Sequence, residues 1–133
     1  MQILQPPGWV EPKGYANGIL AQGELVFIAG QVGWDETGNF RAQDFVGQVR
    51  QCLENTLAVL SEAGAGPEHV VRMTWYITDR EEYLSNLEGM GVAYRELMGR
   101  HFPAMTMVEV VALIESEAMV EVETTAVIPI NAS

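Results

Sequence analysis

The sequence predicts an α/β (α+β) fold, with one mixed sheet and two helices in a single domain over residues 1–133. Short apolar runs rich in β-branched residues alternate with two longer segments in which apolar residues recur every three or four positions. The predicted order is ββαβαββ. Hydrophobic residues make up 48% of the chain, enough for one core, and two helices would cover one face of such a sheet.

An extended arm is expected over residues 1–17, because its prolines and glycines disfavour a helix: Pro6, Pro7, Gly8, Pro12 and Gly14. After the arm, two short apolar runs at 19–21 and 25–29 flank a glycine turn at 22–24. This arrangement predicts a β-hairpin.

A first helix of about 19 residues is predicted after Asp44, its N-cap, and before Gly64. Its apolar residues recur at helical spacing: Phe45, Val49, Cys52 or Leu53, Leu57 and Leu60. Residues 70–78, rich in β-branched and aromatic side chains, predict the next strand.

The second helix is predicted to start at Asp79, which forms a capping-box pattern with Glu82. Gly89 and Gly91 weaken its middle by about 1 kcal/mol each relative to Ala, so two helical pieces are expected. Gly99 closes this region.

Two last strands are predicted at 106–113 and 119–128, joined by a polar turn at 115–117. Alternation places Val108, Val110 and Ala112 on one face and Met105, Met107, Val111 and Leu113 on the other. A sheet that is apolar on both faces, with helices for only one, predicts self-association.

Composition disfavours several classes of protein. Seven Lys and Arg against 18 Asp and Glu give a net charge of -11, and the basic residues are dispersed, so no nucleic-acid partner is expected. No segment approaches the roughly 20 apolar residues of a membrane span, and the first residues lack a signal-peptide pattern, so a cytoplasmic protein is expected. Cys52, His69 and His101 have no zinc-site spacing, and neither a metal nor a cofactor is expected.

Carboxylates interrupt the last two strands at Glu109, Glu121 and Glu123, and alternation places Glu121 and Glu123 on one face. In a partly apolar cleft, desolvation would raise the pKa of such a carboxyl group and suit it to general acid or base catalysis. A solvated or arginine-paired glutamate is the alternative, and the pattern alone favours it.

A second candidate site combines Tyr15, a possible hydrogen-bond donor, with Gly30 and Gln31, where a ligand could approach exposed backbone N–H groups. A structural turn is the alternative. Four large apolar side chains are candidates either for a pocket or for the core: Trp34, Trp75, Met105 and Met107.

Taken together, five segments resemble the Rid (reactive intermediate deaminase, or YjgF) family over nearly the whole chain. They are Lys-Gly-Tyr-Ala-Asn-Gly (13–18), Ala-Gly-Gln (29–31), Gln-Val-Arg-Gln-Cys-Leu-Glu-Asn (48–55), Phe-Pro-Ala-Met-Thr-Met-Val-Glu-Val (102–110) and Val-Glu-Val-Glu-Thr-Thr-Ala-Val (120–127). The resemblance implies a chorismate-mutase-like fold and a homotrimer with a central barrel and three small-molecule clefts between subunits.

In the family, an arginine after Phe-Pro-Ala holds the carboxylate of a 2-imino or 2-aminoacrylate intermediate. Water near a last-strand glutamate attacks the C=N carbon, releasing ammonia and a 2-oxo acid. The resemblance implies that Glu123 is this glutamate, that Gly30 supplies a backbone contact, and that Tyr15 is the aromatic residue at the entrance.

Three positions depart from the family pattern. Met105 replaces the arginine, Met107 a small or thiol residue, and Gly91 a cleft asparagine. The lost arginine contact is worth about 1.5 to 3 kcal/mol, or roughly 10- to 150-fold in affinity. Arg41 and Arg72 are the candidates for a replacement anchor.

The expected function is hydrolytic deamination of a neutral or aromatic imine or enamine rather than of the usual 2-imino acid, with Glu123 as acid or base. The alternative is a non-catalytic trimer that binds a metabolite or acts as a chaperone. The family's older descriptions as translation inhibitor and endoribonuclease are disfavoured by the acidic charge.

Overall fold

The computed structural model describes residues 1–130 and has a mixed α+β architecture, as predicted. In chain order its elements are β1 (Gln2–Leu4), β2 (Gly18–Leu20), β3 (Glu24–Val32), α1 (Phe45–Glu62), a 3-10 turn (Pro67–His69), β4 (Val70–Ile77), α2 (Arg80–Ser85), α3 (Leu87–Met98), β5 (Ala104–Glu109) and β6 (Val120–Ile128). β1 pairs with β2. The other strands form one sheet in the order β3-β6-β4-β5, in which β4 and β5 are parallel.

The helices begin and end close to the predicted residues. The Asp44 carboxylate accepts a hydrogen bond from the backbone N–H of Gly47 at 3.0 Å, and Gly64, with φ +70°, follows the end of α1. The second helical region is divided, as predicted, but at Asn86 rather than at its glycines. A Cβ on Gly89 would lie 3.1 Å from a methyl group of Val46, so this glycine allows α3 to approach α1.

The predicted hairpin between 19–21 and 25–29 is wrong. β2 pairs with β1 of the arm, in the register Gln2 to Leu20, whereas β3 pairs with β6. Gly23, with φ +153°, brings the chain against the end of β6, where an added Cβ would lie 2.1 Å from the carbonyl oxygen of Ile128. The glycine therefore serves a close approach to a distant strand rather than a two-strand turn.

The strand predicted at 106–113 is shifted toward the N-terminus. β5 ends at Glu109, whose Oε1 accepts the backbone N–H of Arg80 at 2.6 Å, and Val111 is fully exposed beyond it. The face assignment of residues 110–113 is therefore wrong. β5 also does not pair with β6, because β4 lies between them.

The two faces of the four-stranded sheet differ in their cover. The face under α1 and α3 carries buried side chains of β4 and β6: Met73, Trp75, Ile77, Val120, Val122 and Ala126. Strand alternation directs the other side chains to the opposite face, here called the open face: Arg72, Thr74, Tyr76, Glu121, Glu123 and Thr125. On this open face Leu25 and Phe27 of β3 are 60% and 74% exposed. Across residues 1–130 no helix has the length and hydrophobicity to cross a membrane.

Candidate functional site

A cavity of about 500 Å³ lies beside β5, on the helix-covered side of the sheet, and is here called the edge cleft. It is lined by Lys13, Gly14, Tyr15, Trp75, Tyr83, Met90, Gly91, Tyr94, Arg95, Phe102, Met105 and Met107. Parallel pairing aligns Met105 with Met73 and Met107 with Trp75, which directs both methionines to this side.

The arm closes one side of the edge cleft. The backbone N–H of Ala16 donates to the carbonyl of Pro103 at 3.0 Å, and Ala16 forms an isolated parallel bridge with Ala104. Tyr15 is thereby held beside the first residues of β5, and the residue is 39% exposed. The arm is therefore part of the cleft wall, and Tyr15 lies at its mouth.

Two stacked aromatic rings form another wall. The rings of Tyr94 and Phe102 lie 5.4 Å apart at an interplanar angle of 12°. The Tyr94 hydroxyl donates to the carbonyl of His101 at 2.6 Å, and burial raises the pKa of this phenol. A ring nitrogen of His101 lies 2.6 Å from the carbonyl oxygen of Val70, which fixes the loop before β5. These contacts hold both rings in the cleft wall, where they present an aromatic surface to the cavity.

Two cationic side chains, Lys13 and Arg95, also line the cleft, and no carboxylate does so in the described part of the chain. Neither predicted replacement anchor lies there. Arg41 pairs with Asp35 after β3, and Arg72 lies on the open face. Arg95 was missed by the sequence analysis, although it follows Gly91 by four residues and so shares its helix face.

A second cavity of about 520 Å³, the open-face cavity, lies on the other side of the sheet. Its lining residues are Phe27, Ile28, Ala29, Arg72, Thr74, Glu123, Thr124 and Thr125. Oε1 of Glu123 accepts a hydrogen bond from the hydroxyl of Tyr76 at 2.5 Å. This hydrogen bond, followed by desolvation, raises the pKa of Tyr76, so the phenol is protonated and acts as the donor at neutral pH.

The Ala29–Gln31 segment forms an irregularity in β3, because its pairing with β6 shifts between Ile28 and Gln31. A Cβ on Gly30 would lie 1.9 Å from Oε2 of Glu121, so the glycine admits this carboxylate. The Gln31 side chain donates to the carbonyl of Ala29 at 3.0 Å. Glycine at position 30 is thus required by a close approach on the open face.

Trp34 lines neither cavity. Its ring packs against Phe40 with centroids 5.9 Å apart, and its carbonyl accepts a hydrogen bond from the Asn55 amide at 2.8 Å. These contacts hold the segment after β3 against α1 and account for the tryptophan without a ligand.

The predicted site residues thus fall into two groups within one chain. Tyr15, Gly91, Met105 and Met107 line the edge cleft, whereas Glu123 lies on the open face. The pairing of β5 and β6 with β4 explains this separation. Met105 pairs with Met73, and Glu123 pairs with Thr74, the next residue of β4. Consecutive residues of a strand point to opposite faces of the sheet, so Met105 and Glu123 do too. Gly30 and Gln31 lie near the open-face group.

Thiol and metal chemistry have no site in the described residues. Cys52 is buried in α1, and this burial raises the pKa of its thiol to about 12, as expected of an unreactive cysteine. No group of three or more His, Cys, Asp or Glu in residues 1–130 is arranged to hold a metal ion.

The fold of this chain is that of solved Rid and YjgF proteins. The Rid protein YyfB of Yersinia pestis has it, with a TM-score of 0.84 and 29% identity over 96% of this chain and 98% of its own. A family profile described as endoribonuclease L-PSP matches residues 10–128.

A RutC family protein of Pyrococcus abyssi is 34% identical over 114 residues, covering 85% of this chain and 86% of its own. The 2-iminobutanoate/2-iminopropanoate deaminase of Salmonella typhimurium is 30% identical over 108 residues, covering 79% and 80%. The chain belongs to the Rid family.

Proposed function

We propose that this protein hydrolyses the C=N bond of an aromatic imine, or of the imine tautomer of an enamine, to a carbonyl compound and ammonia. One observation supports this most directly: four residues at positions that the family resemblance assigns to the substrate line a single cavity. Its aromatic and thioether walls suit a larger substrate than a short 2-imino acid. A relative of this chain is itself a 2-iminobutanoate/2-iminopropanoate deaminase.

In this proposal the site is completed by a second subunit. Glu123 and the edge cleft lie on opposite faces of the sheet, so one chain cannot bring them to the same ligand. A homotrimer with its open faces turned inward would place Glu123 of one subunit at the edge cleft of the next. Such packing would also cover Leu25 and Phe27, which are exposed on the open face.

The chemistry needs one water and one proton acceptor. Tyr76 occupies Oε1 of Glu123, which leaves Oε2 to accept a hydrogen bond from a water. The water oxygen bonds to the C=N carbon while one water proton passes through Glu123 to the nitrogen, which gives a tetrahedral carbinolamine. The hydroxyl proton of this intermediate then passes through Glu123 to the amino nitrogen, the C–N bond breaks, ammonia leaves, and the carbonyl forms. In this scheme Glu123 is the acid and base, and Tyr76 is a positioning residue.

The test is ammonia release from two freshly generated imines, 2-iminopropionate and 2-imino-3-phenylpropionate. We expect the wild type to prefer the aromatic imine by at least about 10-fold, because both imines carry the same carboxylate and only the aromatic one buries a phenyl ring, worth about 1.5 to 3 kcal/mol, against the apolar wall. Met105→Arg should gain activity on 2-iminopropionate, and Glu123→Ala should abolish release from both imines. Glu54→Ala, which removes an exposed carboxylate of α1, is the matched control.

Equal rates on the two imines would contradict the proposed substrate preference. Absence of ammonia release from either imine, with ligand binding intact in Glu123→Ala, would instead support the alternative of a non-catalytic metabolite-binding or chaperone-like trimer. One observation favours that alternative: Glu123 is exposed and already hydrogen-bonded within its own chain.

A further inference from the structure

The guanidinium of Arg95 lies across Gly91. A Cβ built on Gly91 would be 3.2 Å from Nη1 of Arg95 and 3.9 Å from both Cζ and Nη2. Residues four apart share a helix face, and long side chains in a helix lean toward its N-terminus, which carries this guanidinium back over the preceding turn. A side chain larger than alanine at position 91 would compete with Arg95 for this space at the edge cleft.

No carboxylate of residues 1–130 forms a salt bridge with Arg95. The next residue, Glu96, pairs with Arg50 of α1 at 2.9 Å, and the remaining arginine salt bridge joins Arg41 to Asp35. In a chain with seven basic residues and a net charge of -11, Arg95 and Lys13 line the same cavity without an acidic neighbour in its wall. Most of the protein repels anions, whereas this cleft presents two cations to them.

We propose that Arg95 is the anion anchor of the edge cleft, and that the cleft takes a planar aromatic compound carrying one carboxylate. Arg95 would grip the carboxylate from α3, with Lys13 as a second positive charge, in place of the arginine that Met105 replaces in β5. A guanidinium suits this role because its paired N–H groups match a carboxylate. The stacked Tyr94 and Phe102 would hold the ring.

This inference narrows the substrate class of the proposed function from aromatic imines in general to those that carry a carboxylate, and it rests on that function only in using the same cleft. A short 2-imino acid would reach Arg95 but leave the aromatic wall uncovered. A neutral aromatic compound would cover the wall but leave the guanidinium without a partner.

The experiment is a calorimetric titration with benzoate and with benzamide, which share a ring and differ in charge. We expect the wild type to bind benzoate at least about 10-fold more tightly than benzamide. Arg95→Gln should lower the affinity for benzoate by about 10- to 150-fold and leave the affinity for benzamide unchanged. Arg100→Gln, which removes an equal charge outside the cleft lining, should bind both compounds as the wild type does.

Two further variants test the position of the anchor. Gly91→Leu should displace the guanidinium and lower the affinity for benzoate but not for benzamide. Met105→Arg added to Arg95→Gln should restore benzoate binding. Equal wild-type affinity for the two compounds, or benzoate binding that Arg95→Gln leaves unchanged, would overturn the inference. The thermal unfolding midpoint of each variant shows that it is folded.

Binding and turnover separate the two proposals. Charge-selective binding that depends on Arg95, without ammonia release from any imine, would support this inference and contradict the deaminase proposal. Ammonia release from the aromatic imine that is insensitive to Arg95→Gln would overturn only the inference.

Discussion

Gly91 leaves space for the guanidinium of Arg95, which shares its face of α3. A Cβ at position 91 would lie 3.2 Å from the guanidinium, so the missing side chain opens the space that Arg95 occupies. The family resemblance implies an asparagine at position 91 and an arginine at position 105, where this chain has Gly91 and Met105. On our proposal the two departures are linked, since the space opened at 91 admits a cation that compensates for the one lost at 105.

Steady-state kinetics can distinguish a role of Tyr76 in positioning Glu123 from a role in substrate binding. Tyr76→Phe removes the hydrogen bond to Glu123 and leaves the edge cleft intact, because Tyr76 lies on the other face. We expect kcat for the aromatic imine to fall by about 10-fold, the lower end for a hydrogen bond to a charged group, while KM stays constant. Steady-state ammonia release measures both constants.

The pH profile provides an independent check on Tyr76. The hydrogen bond to Glu123 raises its pKa above the ordinary value of 10.0, so the phenol ionises at higher pH than a free tyrosine. The wild-type rate should therefore show no loss from Tyr76 ionisation between pH 7 and pH 9. A decline in this range that disappears in Tyr76→Phe would be evidence against the assigned role.

Among the elements, the turn between β3 and α1 is ordered by one carboxylate. Asp35 accepts hydrogen bonds from the backbone and hydroxyl of Thr37 and from the backbone of Asn39, and it pairs with Arg41. Its side chain is only 4% exposed. The hydrogen bond from the Thr37 hydroxyl, then that from Arg41, lowers the pKa of Asp35 far below its ordinary value.

A depressed carboxyl pKa in the folded state adds stability above the unfolded value of 3.8, and this stability is lost as the pH falls below it. Asp35→Asn should therefore lower the thermal unfolding midpoint at pH 7. Between pH 5 and pH 2, the midpoint of the variant should fall by less than the midpoint of the wild type. Glu54→Gln, at an exposed position of α1, is the control. Parallel acid-induced losses in wild type and Asp35→Asn would refute the assignment.

Helix α1 also contacts the segment before β6 through the side chain of Gln48. The Gln48 amide donates to the carbonyl of Glu117 at 2.9 Å and accepts the backbone N–H of Met119 at 2.8 Å. A Cβ on Gly33 would lie 2.8 Å from Cβ of Gln48, so the chain passes close to the helix there. These contacts fix the segment that leads into β6 and hence the position of Glu123.

At the scale of the whole molecule, the open face decides whether the proposed site can be assembled. Phe27→Glu places a charge among open-face residues that a partner subunit would bury, and should convert a trimer into monomers because an unpaired buried charge is strongly unfavourable. Light scattering coupled to gel filtration measures the mass. Val111→Glu, at an exposed position beyond β5, is the control.

The same variant relates assembly to activity. If Glu123 acts across an interface, Phe27→Glu should lose ammonia release together with the trimer, while benzoate binding by Arg95 is weakened less because the edge cleft is formed within one chain. A monomeric Phe27→Glu with full activity would show that the site does not need a second subunit.

Local pattern was sufficient for the elements that depend on near neighbours in sequence. The cap at Asp44, the end of α1 before Gly64, the capping of α2 by Asp79 and the division of the second helical region all follow from contacts within a few residues. Strand pairing involves distant residues, so apolar runs could not show that β2 pairs with the arm or that β4 separates β5 from β6.

For the candidate site, the sequence by itself determined that Glu121 and Glu123 share one face of their strand, because strand alternation has a fixed period. Only the tertiary structure decided that Met105 and Glu123 lie on opposite faces, which depends on the register of both strands with β4. It also decided that Arg95, rather than Arg41 or Arg72, lines the edge cleft, since the position of a long side chain is set by the space its neighbours leave.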